Sequence, residues 1–114
     1  MTPRDRSLLE DMRAFAADAV ELLGDLDAAA LRQDKRSQYA VIRAVEVLGE
    51  AASKVDAATR DGLPQLPWRA AIGMRNILIH GYHQLDLELV VKTVREDLPP
   101  LVARLEAILG DDPE

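Results

Sequence analysis

A chain of 114 residues with no cysteine is long enough for one domain with its own core, and it excludes a disulfide framework or a thiolate metal site. Fourteen basic against twenty acidic residues leave a formal net charge of −6, which argues against a general nucleic-acid binder carrying a basic field. Only 4% of residues are aromatic, so base-stacking platforms of the single-strand-binding kind are excluded as well. The N-terminal Met-Thr-Pro-Arg-Asp-Arg lacks the apolar segment of a signal peptide, and no apolar run approaches the roughly 20 residues needed to span a bilayer. A single cytoplasmic domain over 1–114, with no membrane partner, is expected.

Thr2-Pro3-Arg4-Asp5 predicts a helix start, with a cap, a proline in the first turn and an early acid. Leu9, Met12, Ala16, Ala19, Leu23 and Leu26 recur at threes and fours behind it, and Gly24 ends the helix. Asp25 to Gln33 holds a short helical turn. The next helix is predicted from Lys35 to Asp61, closing at Gly62. Its core stripe is Ala40, Val41, Ala44, Val47, Leu48, Ala51 and Val55. A second stripe of Tyr39, Ile42, Arg43, Glu46, Gly49 and Glu50 mixes polar with apolar residues. Glu46 and Glu50 form a like-charge pair one turn apart, which calls for a cation. Arg43, Lys54 or Arg75 can supply it, with Arg75 favoured as a partner of Glu46 or Glu50, and two solvated glutamates with Lys54 nearby are the equal alternative.

Leu63-Pro64-Gln65-Leu66-Pro67 reads as a stiff loop, and Trp68 as a core anchor at the start of the following helix. That helix is predicted over 68–80, with Pro67 suited to its first position and Gly81 to the stop. At about 100° per residue, Arg69, Gly73, Asn76 and His80 share one polar strip, while Ala70, Ala71, Met74, Ile77 and Leu78 form a broad apolar face. Arg75 emerges among apolar neighbours and must snorkel or meet an anion. Asp86 caps the last helical run, with Leu85 and Val90 at the positions of a hydrophobic staple. Leu87, Val90, Val91, Val94, Leu98, Leu101, Leu105 and Ile108 continue its apolar face. Pro99-Pro100 must break or kink the run, with Asp97 as a fresh cap, and 110–114 frays. Strand signals and repeats are absent, so the chain is predicted to be all-α, an antiparallel up-down bundle of four or five helices.

Arg75 and His80, five positions apart, point roughly 140° away from each other on an ideal helix. To act together they need an unwound last turn, or a second copy of the chain that supplies the other residue across a two-fold axis. Asn76 lies one turn before His80 on the same face.

Arg75-Asn76-Ile77-Leu78-Ile79-His80 resembles the Arg-polar-x-x-x-His signature of HEPN-domain ribonucleases. With Gly81 and Tyr82 added, Arg75-x4-His80-x-Tyr82 is similar to the HepT toxins of HepT/MntA toxin–antitoxin systems. Ala44 to Ala51, Leu66-Pro67-Trp68 and Asp97-Leu98-Pro99-Pro100-Leu101 add to the likeness. His83 and Gln84 stand where such chains carry an aromatic and a glycine. The resemblance implies a HEPN-like homodimer that cleaves RNA without metal or cofactor, with Arg75 and His80 catalytic and Asn76 supporting. It also implies that an MntA-like nucleotidyltransferase antitoxin adenylylates Tyr82. DNA is not an expected substrate.

Each residue also has a plainer reading. Arg75 can be a structural ion pair, His80 a helix C-terminal cap and Tyr82 a half-buried aromatic. His80 and His83 form His-x-x-His, but Gly81 interrupts the helix between them and no third ligand is close, so no metal is expected. The acidic balance gives weight to an alternative function, a non-catalytic HEPN-type module that binds a nucleotidyltransferase or a nucleotide. A dimeric scaffold is the third.

Overall fold

Thr2 sets the start of the first rod. Its hydroxyl accepts the Asp5 N–H at 3.0 Å, Pro3 occupies the first turn, and α1 (Pro3–Leu23) runs to Gly24, whose φ of 53° suits a residue without Cβ. The computed structural model describes residues 1–76 and 86–110, and no strand occurs among them. Asp27 then caps the short α2 (Ala28–Gln33), and Asp34 caps α3 (Lys35–Lys54) through the Ser37 N–H and hydroxyl. Those two Ser37 hydrogen bonds, the backbone one foremost, hold the Asp34 carboxyl below its ordinary range.

The predicted helix over 35–61 is two helices. Val55 turns extended, and Asp56 starts α4 (Ala57–Asp61), which ends at Gly62. The break has a partner that periodicity does not reveal. Asp5, fully buried, accepts the Asp56 N–H at 3.3 Å and the Thr59 hydroxyl at 2.5 Å, so a carboxylate from α1 satisfies the start of α4. The Thr59 hydrogen bond, with the Asp56 N–H and the nearby Arg4, holds the Asp5 carboxyl below its ordinary value against the opposing effect of burial. A lowered folded-state pKa contributes stability above the unfolded value of about 3.9, and that contribution disappears as pH falls through the folded value. Asp5→Asn is therefore expected to lower the melting temperature at neutral pH, with the gap to wild type narrowing below about pH 4. Parallel melting curves from pH 7 to pH 3 would contradict this.

The final rod also departs from its predicted form. Asp86 caps α6 (Leu87–Lys92) through the Leu89 N–H at 3.0 Å, as expected, but Leu85 of the staple lies outside the described residues. Asp97 stands at the cap of a fresh helix with Pro99 and Pro100 in its first turn, as expected, but the helical rod continues through this point. A π turn over 93–97 leads directly into α7 (Leu98–Leu109), with the Leu98 N–H donating to Thr93 O. The wider turn shifts the hydrogen-bond register just ahead of two residues that cannot donate. The Asp97 side chain makes no capping hydrogen bond.

Three arginines tie helix ends to neighbouring rods. Arg4 donates to Lys54 O at 3.1 Å and Arg6 to Leu109 O at 3.0 Å. Arg95 donates to Gly24 O at 2.7 Å and Leu26 O at 3.0 Å. Lys54 O, Leu109 O and Gly24 O are carbonyls that a helix end leaves without partners, at the negative end of its dipole, while Leu26 O belongs to the link before α2. These contacts place the start of α1 beside the ends of α3 and α7, so α1 is antiparallel to both. The expectation of an all-helical antiparallel arrangement holds. The four or five helices expected are three rods with short α2, α4 and α5 (Trp68–Gly73) beside them.

Leu9, Met12, Ala16, Ala19 and Leu23 of α1 pack in one core with Val41, Ala44, Leu48 and Ala51 of α3 and Val94, Leu98, Leu101 and Leu105 of the last rod. Ala40 and Val47, expected inside, are half-buried, while Val45 and Ala52 are buried. Among the described residues no helix is long and apolar enough to cross a membrane.

Candidate active site

The site begins at the loop with two prolines. Trp68 Nε1 donates to Leu63 O at 2.9 Å and the ring packs against the core, which closes the loop and anchors α5 (Trp68–Gly73). Pro67 stands at the cap of α5 rather than in its first turn. Beyond Gly73 the α-helix does not continue as predicted. Met74–Asn76 form a 3₁₀ turn, a common ending for an α-helix. Ala71 and Met74 are buried as expected, while Ala70 is exposed beside Glu96, Pro100 and Arg104.

Arg75 and Asn76 both lie on this 3₁₀ turn, Arg75 half-buried and Asn76 exposed. His80, Tyr82 and His83, with the Gly81 stop, fall outside the described residues. Across Met74–Asn76 the turn is tighter than the 100° steps of an ideal helix assume.

The favoured ion pair of Arg75 is corrected. Glu46 takes Arg43 instead, three positions earlier on the same helix, at 2.7 Å. Pairing within one helix needs no approach between elements, and the expectation for Arg75 ignored that advantage. Among the described residues the Arg75 side chain makes no hydrogen bond or ion pair. A half-buried arginine with no carboxylate paired to it keeps its donors for an anion brought from outside.

What holds the turn is Gly49, buried on α3 directly beneath it. A Cβ at position 49 would sit 2.9 Å from Arg75 Cβ and 3.0 Å from Arg75 Cα, and nearer still to Arg75 N. The backbones of α3 and the turn therefore meet at a distance that only glycine allows. Sequence reading assigned Gly49 no role. The available signal was a glycine inside a helix otherwise built from good formers, a choice that costs about 1 kcal/mol against alanine and so asks for a packing reason.

These features define an all-helical domain that presents an arginine and an asparagine from a short turn braced against a long helix. The chain belongs to the HepT-like ribonuclease family, whose model, described as "Ribonuclease HepT-like", matches residues 12–108. It is 38% identical to the "Putative RNase MJ1380" of Methanocaldococcus jannaschii, across 95% of this chain and the whole of that protein. It is 36% identical to the "Probable ribonuclease HepT" of Thermococcus cleftensis, across 90% of this chain and 94% of that one. No solved structure gives a significant match.

Proposed function

We propose that this protein is a metal-independent endoribonuclease toxin that works as a homodimer. Arg75 and His80 of both subunits would share one cleft, with Asn76 beside them. The observation that carries the reading is Arg75 itself: held at the backbone, it leaves its guanidinium without a partner among the described residues, in a chain of a ribonuclease family.

Cleavage of RNA by its own 2′-hydroxyl needs a base for that proton, an acid for the leaving 5′-oxygen and positive charge around the phosphorane. Histidine serves either proton role near neutrality because its unperturbed pKa is about 6.5. Two histidines related by the dimer axis would divide the work, one neutral and one protonated. Arg75 would bind the non-bridging oxygens through its planar fork, and Asn76 would orient the imidazole or donate to the phosphate. The product is then a cyclic 2′,3′-phosphate, the activity survives EDTA, and the pH profile is bell-shaped. Loss of activity in EDTA with recovery on adding a divalent ion would refute this chemistry.

In the toxin–antitoxin setting, a nucleotidyltransferase partner would adenylylate Tyr82 and so silence the cleft. The protein would act in the cytoplasm on RNA. Expression of the chain alone is the first test: wild type should arrest growth and His80→Ala should not. If both arrest growth equally, the arrest is not catalytic. If neither does, the acidic net charge of −6 favours the second reading, a helical module that binds a nucleotidyltransferase or a nucleotide without cleaving RNA.

A further inference from the structure

We infer that Gly49 is a positioning residue for the cleavage proposed above: the missing side chain sets how deep the Arg75 turn sits on α3, and with it where the guanidinium meets the phosphate. The inference rests on that functional reading, but its structural half stands separately. The contact joins backbone to backbone. A Cβ on Gly49 would press on the N, Cα and Cβ of Arg75, none of which is the far end of a flexible side chain that could swing away. Either the turn lifts from α3 or α3 bends, and both move Arg75. The turn is short and ends in an exposed residue, whereas α3 is packed into the core along its length through Val41, Leu48 and Ala52, so the turn is what gives. Packed interiors transmit such shifts rather than absorb them.

A displacement on the order of 1 Å at a catalytic group costs roughly 100-fold in rate. Gly49→Ala should therefore remain folded and lower kcat/KM for cleavage of a short RNA by roughly 10- to 100-fold. Gly62→Ala is the control, because a Cβ there meets only Thr59 O at 3.5 Å and Ala58 O at 3.6 Å, ordinary contacts. It should cleave like wild type.

Two readouts separate positioning from simple loss of stability. Backbone amide NMR shifts of Gly49→Ala should change at residues 74–76 and stay unchanged in α1 and α7. In the Arg75→Ala background, adding Gly49→Ala should cost much less than it does alone, because both exchanges act through the same guanidinium. If the variant is unfolded at the assay temperature, it is refolded in an osmolyte such as TMAO and assayed there beside wild type. A persistent rate deficit supports positioning, and full recovery overturns it. Wild-type kcat/KM in Gly49→Ala, or losses that simply multiply in the double variant, also overturn it. Wild type that fails to cleave RNA while the shifts still move at 74–76 would refute the ribonuclease reading and leave the seat intact.

Discussion

Arg75→Ala should abolish most RNA cleavage, lowering kcat/KM by about 100- to 1,000-fold, the usual loss when one preorganised donor to a developing anion is removed. The same exchange should leave the fold nearly untouched, because the Arg75 side chain has no hydrogen bond or ion pair to lose among the described residues. This pairing of large kinetic and small thermodynamic effects is what separates a phosphate-binding arginine from a structural one. A buried structural ion pair would behave in the opposite way, since removing one partner leaves a charge uncompensated. Arg75→Lys should recover only part of the rate, because a point charge restores the attraction without the planar fork. Measuring kcat and KM for the three chains, together with their melting temperatures, decides the matter. An alanine variant that melts far below wild type, or one that still cleaves at the wild-type rate, would remove Arg75 from the catalytic role.

The same residues mark where sequence was informative about this molecule. Helix starts were legible because capping chemistry is local: Thr2 and Asp86 both hold N–H groups three residues ahead, as their positions suggested. The apolar stripes of α1 and the last rod were legible for the same reason, since the helical repeat alone sorts inside from outside. Breaks imposed from a distance were not legible. Val55–Asp56 ends a helix because Asp5, some fifty positions away, supplies the acceptor for the next one. The expected break or kink at Pro99-Pro100 takes the form of a π turn just ahead of them, a change of register that no single residue announces. At the site, the motif identified Arg75, but the seat beneath it depends on how closely two backbones approach. Gly49 shows that only once α3 and the turn are placed together.

Tyr82→Phe should free the toxin from its partner while leaving the toxin active. Adenylyl transfer would join the Tyr82 phenolic oxygen to the α-phosphorus of ATP, releasing pyrophosphate and the phenol proton. Phenylalanine has no oxygen to form that bond, yet it retains the ring. In the proposed cleft the transferred group brings an anionic phosphodiester and a base within two residues of His80, and it competes with substrate for the same cations. Co-expression of wild type with an active nucleotidyltransferase should therefore restore growth and add the mass of one AMP per chain, whereas Tyr82→Phe should continue to arrest growth and gain no mass. The purified variant should cleave RNA at close to the wild-type rate without the partner, so that escape from silencing is not mistaken for altered catalysis. Full neutralisation of Tyr82→Phe by the partner's catalytic activity would show that the silencing modification lies elsewhere. Neutralisation by a catalytically dead partner would assign control to protein binding, which an acidic chain with a net charge of −6 is suited to support.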